Sequence, residues 1–151
     1  MTVRRILVAV DGSKPSIDAV TQALDIAKKL GAELIALYVV SPDIRYHYLE
    51  DTITPKLPEA LKDVLMIAMQ RGEKHVDKVR QMARQKNIMV KTDVIVGISS
   101  VVKEIVDYAH KNKIDMIVVG SRGLSGIKKM PLGSVASGVV TYANCPVLVA
   151  K

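Results

Sequence analysis

Hydrophobic and polar residues follow two alternating patterns along this chain. Short apolar runs rich in β-branched residues, at 6–10, 33–40 and 147–150, are typical of strands buried on both faces of a parallel sheet. Between them, apolar residues recur every three or four positions, which predicts helices over 17–30 and 58–86. Two shorter helices are expected, one capped by Ser99 or Ser100 and one beginning at Gly133 and Ser134.

The order of these elements predicts the fold class. Strands at 6–10, 33–40, 89–96, 115–120 and 147–150 alternate with the helices, which favours an α/β domain spanning residues 1–151. Right-handed crossovers then give a doubly wound, five-stranded parallel sheet of order 3-2-1-4-5, with helices on both faces. Polar residues alternate along the third strand, as expected at a sheet edge. Ligands of such sheets bind where the strand order reverses, between Asp11 and Gly120.

Composition and charge limit the kinds of ligand and partner that the chain is expected to bind. Aromatic residues make up only 3%, so the core must be aliphatic. The net charge of +7 suggests a polyanion, but the cations are dispersed and no basic run is interleaved with aromatic residues. This argues against nucleic acid and leaves a bound nucleotide as the alternative. No apolar run reaches membrane-spanning length, and the N-terminus enters a strand without signal-peptide features. A cytoplasmic protein with no membrane partner is therefore expected.

A glycine-rich loop follows the fourth strand and leads to a helix start. Such a loop presents free backbone N–H groups and a positive helix end, which suit a phosphate. The first glycine is expected to admit a sugar close to the backbone, and the second to let the loop turn. The last glycine and the serine after it would offer two N–H groups and a hydroxyl. The spacing differs from the Walker A and dinucleotide motifs. The residues are Gly120, Ser121, Arg122, Gly123, Gly133 and Ser134.

The spacing G-x-x-G-x(9)-G-S resembles that of the universal stress protein family, in its ATP-binding branch. The first strand with its Asp11-Gly12-Ser13 turn and the closing strand after Cys145-Pro146 are similar to the family pattern as well. The resemblance implies a site for ATP or AMP, with Mg or Mn accompanying a triphosphate, although no carboxylate marks a metal position. The implied adenine and ribose contacts are Ala9, Asp11, Val39 and Val119. The implied ribose and phosphate contacts are Gly120, Ser121, Arg122, Gly123, Gly133, Ser134 and Val135.

Three functions are compatible with these features. The first is a homodimeric stress-response regulator in which ATP occupancy sets the choice of partner. The second is a slow ATP-hydrolysing enzyme, although the motif offers no catalytic base and no catalytic residue is assigned. The third is an assembly module whose nucleotide is incidental. The three histidines have no metal-ligand spacing, so no metal-binding residues are assigned.

Two surfaces are predicted to make further contacts. The last strand would be an exposed edge, and antiparallel pairing with its copy through Val147, Leu148 and Val149 would give the two-fold dimer that the family commonly forms. Residues 65–69 are too apolar for a helix with one buried face. They are expected to meet a partner subunit or the long connection at 41–57, whose role is left open.

Overall fold

The computed structural model describes residues 2–41, 57–123 and 131–151, with the side chains of residues 57–60 left aside. Almost all of the 41–57 connection lies outside the described residues. The elements are β1 (Arg5–Ala9), α1 (Lys14–Leu30), β2 (Glu33–Val40), α2 (Leu57–Gln85), β3 (Val90–Val96), α3 (Val101–Lys111), β4 (Met116–Gly120), α4 (Ser134–Tyr142) and β5 (Val147–Ala150).

All strand pairs are parallel, and the order of the five strands is β3-β2-β1-β4-β5, which confirms the predicted fold class. Leu7 of the central strand lies between Ile35 of β2 and Ile117 of β4. The chain adds β2 and then β3 on one side of β1, and then crosses over to add β4 and β5 on the other side. The strand order therefore reverses between β1 and β4, where the sequence places it.

Two aliphatic layers cover the two faces of the sheet. Because side chains alternate along a strand, Ile6 and Val8 pack under α1 and the second half of α2, whereas Leu7 packs under α3 and α4. The middle residues of β1 and β4 are fully buried. Each face is thus closed by two helices, and the ends of the strands remain available for a site.

Polar caps explain where the helices begin. The Ser13 hydroxyl accepts a hydrogen bond from the Ser16 N–H at 3.3 Å, so α1 starts at Lys14, three residues before the predicted start. The Ser100 hydroxyl caps α3 by accepting from the Lys103 N–H at 3.2 Å, which decides between the two predicted caps. None of the helices in the described ranges is long and apolar enough to cross a bilayer.

Candidate functional site

A cavity of about 280 Å³ opens at the carboxyl ends of β1, β2 and β4, beside the reversal point. It is the kind of crevice in which doubly wound sheets hold ligands. All of the site residues predicted from the sequence line it except Ser121. The lining residues from that prediction are Ala9, Asp11, Val39, Val119, Gly120, Arg122, Gly123, Gly133, Ser134 and Val135.

The two carboxylate oxygens of Asp11 have different surroundings. Its Oδ1 accepts hydrogen bonds from the Ser13 N–H at 2.8 Å and the Ser13 hydroxyl at 2.5 Å, which holds the cap of α1 in place. Its Oδ2 lies 3.0 Å from the point that a Cβ on Gly123 would occupy. No described residue donates a hydrogen bond to Oδ2. One oxygen therefore orders the turn, and the other faces the glycine loop.

Gly120 has a packing role that the sequence did not reveal. A Cβ at this position would lie 2.7 Å from the Pro15 carbonyl carbon and 2.8 Å from its oxygen, in the first turn of α1. Backbone atoms cannot yield cheaply to such a contact. The glycine was expected to let the backbone approach a sugar. Its absent side chain also makes room for α1 at the end of β4.

The start of α4 presents its donors differently from the prediction. The Gly133 N–H donates to the Ser121 carbonyl at 2.7 Å. It is therefore not available to a phosphate, although the sequence predicted that it would be. The first intrahelical bond runs from the Ser137 N–H to the Gly133 carbonyl at 2.9 Å. The N–H groups of Ser134, Val135 and Ala136 form no hydrogen bond with a described residue. The three residues that carry these donors line the cavity at the positive end of the helix.

Tyr38 and Arg71 also line the cavity, and sequence reasoning did not assign them to the site. The Tyr38 ring stacks on His75 with centroids 5.7 Å apart, and its Cδ1 lies 2.6 Å from where a Cβ on Gly72 would be. Burial raises the pKa of the Tyr38 hydroxyl, so the phenol stays protonated and can donate. The glycine in the buried stripe of α2 was the available sign that this helix approaches the site closely.

Two arginines and one carboxylate provide the formal charges of the described cavity wall, namely Arg71, Arg122 and Asp11. Neither arginine forms an ion pair with a described residue. By contrast Arg80, also on α2, is paired with Glu73 and Asp77. Unpaired guanidinium groups beside free helix N–H groups make a site for an anion.

Among the described residues, no group of three metal-ligating side chains could hold an ion without help from a ligand. Asp11 is the one carboxylate on the described wall. Mg²⁺ commonly binds through one or two carboxylates together with substrate phosphates. The donor set therefore fits a metal that a nucleotide carries in, rather than a resident ion.

Comparison with known proteins agrees with this geometry. A sequence model of the universal stress protein family matches residues 2–151. The chain belongs to the universal stress protein family. It is 34% identical over 148 residues to universal stress protein MJ0531 of Methanocaldococcus jannaschii, covering 98% of this chain and 82% of that protein. The predicted family is thereby confirmed.

Solved structures of universal stress proteins share the fold. UspA from Lactobacillus plantarum is 31% identical and superposes with a TM-score of 0.84, covering 100% of this chain and 99% of that one. A universal stress protein in complex with cAMP is 25% identical, with a TM-score of 0.67, and the match covers 100% and 98% of the two chains. Nucleotide binding thus occurs on this architecture.

Proposed function

We propose that this universal stress protein binds an adenine nucleotide, ATP in the first place, and acts as a stress-response regulator. The observation that carries the proposal is the start of α4, where three residues whose N–H groups have no described partner line the same cavity as Arg122. Free helix N–H groups next to an arginine suit a phosphate chain. The cAMP complex of a related protein supports a nucleotide in the same class of fold.

The shape of the cavity suggests how the nucleotide lies. Phosphates would occupy the end formed by Arg122, Gly123 and the first turn of α4. The base would lie at the other end against Val39 and Val119, which offer an apolar surface. Asp11, whose Oδ2 faces Gly123, would accept a hydrogen bond from a ribose hydroxyl. A Mg or Mn ion would enter with a triphosphate and neutralise charge that two arginines alone do not balance.

Two substitutions of Ser134 test the phosphate end. Ser134→Pro removes the N–H and the hydroxyl, yet proline is favoured at the first helical position and Gly133 already has the extended ψ of 163° that precedes proline readily. Ser134→Ala is the matched control because it removes only the hydroxyl. We expect at least about a tenfold loss of ATP affinity in the proline variant by titration calorimetry, since hydrogen bonds to charged groups contribute about 1.5–3 kcal/mol. Adenosine should bind both variants alike.

Mass spectrometry of nucleotide released from the purified protein identifies the ligand directly. ATP or AMP is the expected species. A protein that releases no nucleotide and shows no ATP affinity at millimolar concentrations would overturn the proposal. It would favour the alternative of an assembly module that works without nucleotide.

A slow ATPase is the enzymatic alternative. Phosphoryl transfer needs a group that orients water or removes its proton. On the described wall the only carboxylate is Asp11, and one of its oxygens is engaged with Ser13. A regulator that holds ATP without efficient turnover fits this wall better. Phosphate release by the purified protein with Mg²⁺, abolished by Asp11→Asn, would instead establish the enzyme.

The regulator is proposed to be a homodimer joined through β5. This strand pairs only with β4 in the sheet, and Val147, Leu148 and Val149 remain partly exposed. The Pro146 and Ala150 carbonyls both bond to the β4 side, at 3.0 Å and 2.7 Å. Because backbone groups alternate along a strand, those of Leu148 face β4 as well, and those of Val147 and Val149 face outward. Val147 and Val149 would therefore offer their backbone N–H and C=O groups to an antiparallel second copy.

This alternation selects the test of the dimer. Val149→Pro removes an outward N–H and keeps the bonds to β4, whereas Val149→Thr keeps the N–H and a β-branched shape. Sedimentation should give a lower mass for the proline variant than for the threonine variant. Equal masses would refute β5 pairing. The cytoplasmic location stays a prediction from the sequence.

A further inference from the structure

Helix α2 is much longer than the sheet that it covers. Its 29 residues span about 44 Å, whereas the seven residues of β3 span about 23 Å. The second half packs on the sheet, where Val76, Val79 and Ala83 are buried. Ala68 lines the cavity at the carboxyl ends of the strands. The first half of α2 therefore extends beyond the sheet edge.

The extending half carries exposed apolar residues. Met66 is 54% exposed, Ile67 57% and Met69 41%, although each would be more stable buried. Met66 and Met69 lie with Leu65 in a shallow groove on one flank of the helix. Clustered exposed apolar side chains of this kind mark contact surfaces.

The charges around this groove are complementary to those of a second copy of the same groove in antiparallel orientation. Lys62 and Glu73 line its two ends, and both are exposed, with one Glu73 oxygen 3.8 Å from Arg80 of the same helix. The spacing 62, 66, 69, 73 keeps all four residues on one side of the helix. The midpoint between Lys62 and Glu73 coincides with the midpoint between Met66 and Met69. An antiparallel copy of the helix would thus place each lysine against a glutamate and each methionine against a methionine.

We propose that this face of α2, defined by Lys62, Leu65, Met66, Met69 and Glu73, is a second self-association surface, which pairs with the same face of another copy about a two-fold axis. A two-fold contact uses the same patch on both copies, which is the property that the groove has. The surface is separate from the β5 edge and does not depend on nucleotide binding. Together the two contacts would join dimers into tetramers or longer assemblies.

Charge reversal tests the pairing without touching the core. Lys62→Glu and Glu73→Lys each place like charges at both ends of the contact, and sedimentation velocity over a range of concentrations should show at least about a tenfold weaker association for either variant. The double variant should associate like the unchanged protein. Equimolar mixing of the two single variants should also restore association, because the mixed pair brings opposite charges together at both ends.

The mixing step distinguishes a second copy from the two other occupants that could cover the groove. Coverage by residues 42–56 of the same chain would leave the mass independent of these charges. Association with a different protein partner would not be restored by mixing. Either result, or an assembly that is unaffected by reversal, overturns the proposal. Repeating the series in the Val149→Pro background keeps β5 pairing out of the readout, and circular dichroism verifies that each variant is folded.

Discussion

The two ends of the sheet use charge in different ways. At the amino end, Glu33 lies between Arg5 and Lys91, and Tyr108 donates to Asp93. At the carboxyl end, Arg71 and Arg122 line a cavity without an ion-pair partner among the described residues. The amino-end pocket pairs its two cations, Arg5 and Lys91, with Glu33, whereas the two arginines of the carboxyl-end cavity have no ion-pair partner among the described residues. Charged side chains that satisfy one another hold the fold, and those that do not are available to a ligand.

Backbone groups follow the same division. The Asp115 carboxylate accepts from the N–H groups of Arg4 and Arg5 at 2.8 and 2.9 Å, and these bonds lower the pKa of Asp115. At the amino end, these backbone N–H groups are therefore hydrogen-bonded within the protein. At the carboxyl end, the N–H groups in the first turn of α4 form no hydrogen bond with a described residue. The comparison predicts that substitutions at the amino end change only the stability of the fold. At the carboxyl end, some substitutions should change stability through packing, and others should change ligand binding.

The largest expected effect is on packing at the carboxyl end. Gly120→Ala forces a methyl group against the Pro15 backbone and should lower the free energy of unfolding by about 2 kcal/mol, the usual cost of overpacking. Gly31→Ala is the control, because its methyl group would meet no atom within 4 Å and reports only the cost of a φ of 63°. Urea denaturation measures both. Loss of ATP affinity with unchanged stability would show that Gly120 acts through the sugar contact predicted from the sequence and not through packing.

The next effect separates the cations of the two ends. Arg122→Gln should weaken ATP binding about tenfold, because an unpaired guanidinium that contacts phosphate contributes about 1.5–3 kcal/mol. Lys91→Gln at the amino end is the matched control and should leave binding unchanged. Titration calorimetry with ATP and with adenosine gives the readout. An equal loss for adenosine would place Arg122 away from the phosphates.

Tyr108 provides a smaller effect with a pH signature. Burial, together with the neighbouring Asp93 carboxylate, raises the pKa of Tyr108 to about 12. The raised pKa means that the folded protein retains this proton while the unfolded chain loses it near pH 10. Its stabilising contribution is therefore full below pH 10 and is lost as the pH rises towards 12. Tyr108→Phe should cost about 1 kcal/mol at pH 7 and flatten that decline in denaturation curves. An identical pH dependence in both proteins would contradict this.

The smallest effect is at the Glu33 ion pairs. Glu33→Gln should reduce the free energy of unfolding by about 0.5 kcal/mol, because ion pairs open to solvent contribute little. The loss should shrink further in 1 M salt. Thermal denaturation at two salt concentrations measures it, and ATP affinity should not change. A change in ATP affinity would show that the two ends of the sheet are coupled.

Local sequence patterns determined much of the fold. The apolar runs located β2 from Glu33 to Val40, and Gly31, directly after the predicted helix, ends α1 in the left-handed conformation. The strand order followed from the alternation of strands and helices under the handedness of crossovers. These features depend on residues close together in the chain, where periodicity and backbone preference act directly.

Only the tertiary structure decided how distant residues share the site. Gly120 meets Pro15, the Gly133 N–H donates to Ser121, and Arg71 lines the cavity from α2, a helix that the sequence did not connect with the site. Such contacts depend on the angle and depth at which helices settle on a twisted sheet, which no short stretch of sequence encodes. The glycine-rich motif and the predicted reversal of the strand order located the site. The packing of α1 and α2 against it decided which of its donors and charges remain free for a ligand.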